Sequence, residues 1–288
     1  MIDFPAGLSA LTDRYDVVLC DVWGVIHNGV RNFPEACEAL ERFNADHGPV
    51  VLISNAPRPS NDVLPQLDGL KVQREAWSAF VTSGDATRSL LAVRAPGKVW
   101  KIGPERDEPL YAGLGLGLEA AGCEDADFIC CTGLFDDETE TAKDYRDRLQ
   151  VAADRGLVFI CANPDRVVQR GDKLIFCAGA LADLYEELGG EVVMAGKPFA
   201  AIYDLALAEA ERLRGRPVDR DRVLCIGDGI ITDVLGAENQ KLACLFVAKG
   251  IHGDKALGPD GLLAPEAVAK LLAAESVGAA HAIADLVW

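Results

Sequence analysis

At 288 residues the chain is long enough for one large core or two smaller ones, and with half its residues hydrophobic and a quarter charged it has the texture of a folded globular protein. A formal charge of −17 provides no basic face for nucleic acid or an anionic membrane, so any phosphorylated ligand has to be held by local donors or by a metal. The start Met-Ile-Asp-Phe-Pro-Ala-Gly lacks the basic and apolar regions of a leader, and no apolar run approaches bilayer length, so a soluble cytoplasmic protein is expected. Several of the nine cysteines fall inside apolar strand-like runs and none shows zinc-type spacing, which predicts buried structural thiols in a reducing compartment.

In chain order, a short helix over 8–14 leads into Val17-Val-Leu-Cys20, an apolar run without alternation that reads as a parallel strand covered on both faces and ending in Asp21. A helix opens at Phe33-Pro34 and runs to about Asn44, and Val50-Val-Leu-Ile53 forms a second buried strand ending in Ser54-Asn55. Thr82-Ser83-Gly84-Asp85 introduces a helix to about Val93. This alternation predicts a parallel sheet with helices on its faces.

From about Ala95 the texture changes: Pro-Gly and Gly-rich interruptions separate short strands from charged helices. Gly113-Leu-Gly-Leu-Gly117 has the wrong spacing for a dinucleotide fingerprint and is read as a flexible helix start. The first texture resumes near Glu191, with a strand and turn presenting Lys197, then an amphipathic helix to Arg214. Arg222-Val-Leu-Cys-Ile-Gly227 is a third buried strand ending in Asp228, with Thr232-Asp233 opening the next helix. A final strand is expected at 244–248. The C-terminal helix from Pro265 carries a stripe of Val268, Leu271, Leu272 and Val277 that suits packing, with a homodimer contact as the alternative. The expected architecture is a doubly wound α/β core of Rossmann type over 1–89 and 192–288, with an α/β module inserted over 90–191.

Four strand ends therefore offer Asp21, Ser54, Lys197 and the Asp228/Asp233 pair. A carboxylate at such a position can attack an electrophile or hold a hard cation, and ligands of open α/β sheets bind outside these ends. Two carboxylates around one strand end are costly unless a cation neutralises them. Together these residues describe phosphoryl transfer to Asp21. Asp21 and Asp228 would hold Mg²⁺, Ser54 and Lys197 would bind phosphoryl oxygens, and Asp233 would orient Asp228, a metal-bound water or Lys197. Arg58, between Pro57 and Pro59, either reaches a second anionic group of the substrate or is a tethered surface residue.

The set resembles the haloacid dehalogenase superfamily. Asp21-Val-Trp-Gly-Val25 resembles its first motif, Leu52-Ile-Ser-Asn55 its second and Gly196-Lys197-Pro198 its third. Gly227-Asp228 with Thr232-Asp233 and Gly236-Ala237 resembles its fourth. The insertion, with Ala162-Asn-Pro-Asp165 after a strand, looks like the cap of the class IIA branch, which includes sugar-phosphate, nucleotide and nitrophenyl phosphatases. The resemblance implies an Mg²⁺-dependent hydrolase acting on a small phosphorylated metabolite through an aspartyl-phosphate. It also implies a phosphate site at Ser54, Asn55 and Lys197, and a cap that selects the substrate.

One position departs from the pattern. The phosphatases of that family carry a second Asp two residues after the nucleophile as general acid, and here that residue is Trp23. Its backbone carbonyl can still serve the metal, but the proton donor is lost, and a positioned acid contributes about 10²–10⁴-fold, roughly 3–5 kcal/mol of barrier. His27 or Asp165 could supply the proton instead, or the leaving group could need none. Alternatively, the protein is an impaired module that binds a phosphorylated ligand as a sensor or regulator. Trp23 would then be a plug or a stacking face, while its bland role is core packing behind the nucleophile.

Overall fold

The computed structural model describes residues 2–170, 173–258 and 261–288. Its strands are β1 (Val17–Asp21), β2 (Val50–Ser54), β3 (Ala79–Thr82), β4 (Gly97–Ile102), β5 (Leu118–Ala120), β6 (Phe128–Cys131), β7 (Val158–Cys161), β8 (Val167–Arg170), β9 (Lys173–Phe176), β10 (Glu191–Met194), β11 (Val223–Gly227), β12 (Ala243–Val247) and β13 (His281–Ile283). The chain divides into two compact units: one of 1–54, 64–81 and 197–288, and a second of 55–63 and 82–196. The helix Ser83–Arg94, which the sequence places mostly before the insertion, groups with the second unit. Its cap explains a clean start there: the Thr82 hydroxyl accepts from the Asp85 N–H, while the Asp85 carboxylate accepts from the Thr82 N–H.

The first unit holds a six-stranded sheet in the order β13-β12-β11-β1-β2-β3. β1 pairs in parallel with β11 on one side and β2 on the other, and β12 and β13 continue the parallel pairing. The apolar runs of β1 and β11 are buried throughout, as expected for strands covered on both faces. The order runs outward in opposite directions from the β1–β11 neighbours, so the carboxyl ends of these two strands form the switch point where such sheets place ligands.

The second unit holds a parallel sheet in the order β10-β7-β6-β4-β5, together with the antiparallel hairpin β8–β9. Its core packs Tyr145, Phe159 and Tyr185 with Trp100, Leu149 and Leu181. All nine cysteines are buried free thiols, as the apolar runs suggested. No helix among the described residues is long and apolar enough to cross a membrane.

Three expectations need correction. Gly113, Gly115 and Gly117 all have positive φ and lead into β5, so the glycine run is a turn before a strand and not a helix start. The strand expected at 244–248 is present as β12 (Ala243–Val247) but is not the last: β13 follows, pairs with β12 and receives the N-terminal Asp3. Thr232-Asp233 lies in a π-helical turn, Ile230–Val234, that feeds the short helix Leu235–Asn239. π-Turns of this kind are rare and concentrate at functional sites.

Candidate active site

β1 delivers Asp21 as its last residue, β2 delivers Ser54, and β11 is followed at once by Asp228. The register sets Asp21 beside Ile53, so Asp21 and Ser54 leave the sheet side by side. Lys197 Nζ donates to Asp21 Oδ1 at 2.6 Å and to Asp233 Oδ1 at 2.7 Å. Asp21, Asp228 and Asp233 each offer an oxygen within 4.8 Å of the other two, and all three side chains are buried. The π-turn accounts for the reach of Asp233, whose Oδ2 accepts from the Gly229 N–H at 3.0 Å while Oδ1 takes Lys197.

Backbone geometry permits this crowding. Gly24, at φ +85, passes so close to Asp228 that a Cβ there would lie 2.1 Å from Oδ2, and a Cβ on Gly227 would lie 2.2 Å from Asp233 Cγ. Only glycine lets the chain turn and approach in this way. One ammonium thus faces three buried carboxylates. Burial, and then the charge of Asp233, push Asp21 up to about 7, against the pull of Lys197. Burial and the charges of Asp21 and Asp233 push Asp228 up to about 8. Burial opposes the Lys197 charge, but Asp21 and Asp233 together outweigh it and the net shift is upward.

At an effective dielectric near 20, two charges at such a separation repel by about 3 kcal/mol, equivalent to about two pKa units and so a large share of the displacement of either acid. Hard oxygen donors with an uncompensated negative charge are what a small divalent cation requires, so the residues fit Mg²⁺. Asp228 is the acid not bound by Lys197; it accepts from the Ile251 N–H at 2.9 Å.

Comparison with known proteins agrees with this geometry. A model of haloacid dehalogenase-like hydrolases matches residues 18–117, and a HAD-hydrolase-like model matches 194–274. A solved hydrolase of the haloacid dehalogenase-like family from Brucella suis 1330 is 43% identical, with a TM-score of 0.85, covering 99% of this chain and 100% of that one. The chain belongs to the haloacid dehalogenase-like family. It is a hydrolase of that type. The 5'-nucleotidase YutF of Bacillus subtilis is 26% identical over 239 residues, 82% of this chain and 88% of that protein. The p-nitrophenyl phosphatase of Archaeoglobus fulgidus shares the fold, with a TM-score of 0.71 at 22% identity over 94% of this chain and 96% of that one.

Around the acids of this haloacid dehalogenase-like hydrolase, the loop after β1 departs from the bland expectation. Trp23 is not core packing: its side chain is 43% exposed, with the indole Nε1 over Gly29. His27 is the buried residue. Its Nδ1 accepts from the Gly29 N–H at 3.0 Å and its carbonyl from the Gly24 N–H at 2.7 Å, so it braces the loop. Burial pushes its pKa down to about 4, leaving it neutral at physiological pH and a poor source of an imidazolium proton.

The remaining sequence candidates belong to the second unit. Asn55 Nδ2 donates to Asp165 Oδ1 at 3.0 Å, and Arg58 Nε lies 4.0 Å from Asp107 Oδ1. Arg58 is therefore half of an ion pair with a buried acid. Two features escaped sequence reading: the Ile251 N–H, a backbone donor with no signature, and Asp107, an ordinary-looking acid in the turn Glu105–Tyr111.

Proposed function

We propose that the protein is an Mg²⁺-dependent phosphatase of a small phosphorylated metabolite that works through an aspartyl-phosphate on Asp21. The observation that carries this reading is Lys197 bridging Asp21 and Asp233 at 2.6 and 2.7 Å, with Asp228 beside them at the switch point of the sheet. The names of the nucleotidase and phosphatase relatives support the same chemistry.

In this proposal Asp21, Asp228 and the backbone carbonyl of Trp23 hold the metal, which when bound offsets the repulsion between a carboxylate and a phosphate dianion. Lys197 keeps Asp21 ionised and aimed and then faces the phosphoryl oxygens, with the Ser54 hydroxyl as a further donor. Asp21 attacks phosphorus, and the bond to the leaving oxygen breaks with its electron pair, that oxygen taking a proton from solvent. Water then attacks phosphorus and gives up a proton to solvent as the bond to Asp21 breaks, returning the carboxylate and releasing phosphate. Asp233, fixed by the Gly229 N–H, positions Lys197. The inserted segment serves as the cap.

A second reading, binding of a phosphorylated ligand without turnover, draws on Trp23, whose side chain has no proton to give. The experiment is phosphate release from a panel of phosphorylated metabolites with Mg²⁺ or EDTA, for the wild type, Asp21→Asn and Trp23→Asp. We expect metal-dependent release that falls at least about 10³-fold in Asp21→Asn. No release by the wild type, with release gained in Trp23→Asp, would replace this reading by the binding module.

A further inference from the structure

Asp21 and Asp233 both take the Lys197 ammonium, whereas Asp228 receives its hydrogen bond from a turn elsewhere in the first unit. The Ile251 N–H donates to Asp228 Oδ2 at 2.9 Å. Two stretches of bare backbone close on the same oxygen: a Cβ on Gly250 would lie 2.0 Å from Oδ2, and one on Gly24 2.1 Å. Oδ2 is thus walled by two glycines and bonded to an amide, while Oδ1 accepts no hydrogen bond from a described residue.

The turn that delivers this amide is itself fixed. Past the end of β12, the Ala248 N–H donates to the Ile283 carbonyl at 2.9 Å and the Lys249 N–H to the Ala284 carbonyl at 3.0 Å. These bonds carry the pairing with β13 up to the residue before Gly250. Lys249 Nζ also pairs with Asp285 at 2.8 Å, and the His252 ring centroid lies 6.1 Å from that of the fully buried Phe246. The Ile251 side chain is 61% exposed, so it is the backbone at this position that holds the acid.

A carboxylate free to rotate offers a cation either oxygen, and stopping that rotation costs part of the binding free energy. Pinning one oxygen in advance removes that cost, and hydrogen-bonding partners of metal ligands are worth about 10–100-fold in metal affinity. We infer that the Lys249–Ile251 turn, braced on β13, is a positioning element that pins Asp228 Oδ2 and presents Oδ1 to the divalent cation. The inference rests on the Asp228 metal ligand of the proposed function and names what orients it.

The test uses the whole protein and Mg²⁺ alone, without turnover. Amide hydrogen exchange at Ile251, followed by NMR, should be at least about 10-fold slower in the metal-free wild type than in Asp228→Ala, the scale of a hydrogen bond to a charged acceptor, and should stay slow in saturating Mg²⁺. Calorimetric titration should give a Kd for Mg²⁺ about 10–100-fold weaker in Gly250→Ala than in the wild type, because the added Cβ drives Oδ2 off the amide. If Gly250→Ala does not fold, the exchange measurement on the wild type still decides. Exchange at Ile251 that speeds up in Mg²⁺ would mean that the metal takes Oδ2, and it overturns the inference. So would exchange as fast in the wild type as in Asp228→Ala, or an unchanged Kd in folded Gly250→Ala. A wild type that binds no Mg²⁺ overturns the metal site of the proposed function, and the positioning role with it.

Discussion

Both units bury acidic side chains, and they treat them differently. In the second unit Asp107 is raised by burial, but the Thr132 hydroxyl and the guanidinium groups of Arg106 and Arg58 act on it in the opposite sense. Its partners outnumber its like charges. In the first unit three acids share one ammonium, and both Asp21 and Asp228 remain raised well above the ordinary carboxylate range. A structural acid comes with its neutralising partners, whereas a cluster left short of positive charge waits for a cation and for chemistry.

Removing the Lys197 ammonium should have the largest effect. Lys197→Met should lower phosphate release by about 10²–10³-fold and destabilise the metal-free protein by about 3–5 kcal/mol, because two buried carboxylates lose their partner. Parallel kinetics and denaturant titration measure both. Next comes Gly24→Ala, which adds a Cβ at φ +85 against Asp228; a loss of about 1–3 kcal/mol is expected in urea unfolding.

The pH response follows from the raised acids. Asp21 and Asp228 hold protons more tightly in the folded chain than in the unfolded one, so metal-free stability should fall as the pH rises from about 3.8 through about 7 and 8. Mg²⁺ competes with those protons and should raise the Tm more at pH 8 than at pH 5, by scanning calorimetry. An equal rise at both would mean that the acids are not the metal site. The smallest effect belongs to the control region. Asp107→Asn should change stability by no more than about 1 kcal/mol and leave phosphate release within about 3-fold. Loss of activity there would dissolve the contrast between the two units.

Much of this was legible in the sequence because the chemistry stands at the ends of long apolar runs. Val17–Cys20 and Val223–Ile226 are uninterrupted, so the acids that follow are marked as strand-end residues, and the structure brings Asp21, Asp228, Asp233 and Lys197 together. β5 and β13, at three residues each, are too short to carry a period, and the glycine run before β5 could be read either way. The place of Trp23 was missed for a related reason. Hydrophobicity favours burying the indole, but it stands exposed, while His27, whose ring and carbonyl each accept a backbone hydrogen bond, is buried. Contacts of that kind depend on loop conformation, which residue type does not determine.

The central claim is that Asp21 becomes phosphorylated. The wild type, turned over in Mg²⁺ with the best substrate of the panel and quenched in acid, can be reduced with borohydride, which converts an acyl phosphate but not a carboxylate, and then mapped by mass spectrometry. Homoserine at position 21, absent without substrate, is the expected result. Phosphate release with position 21 still aspartate in every quenched sample would contradict it.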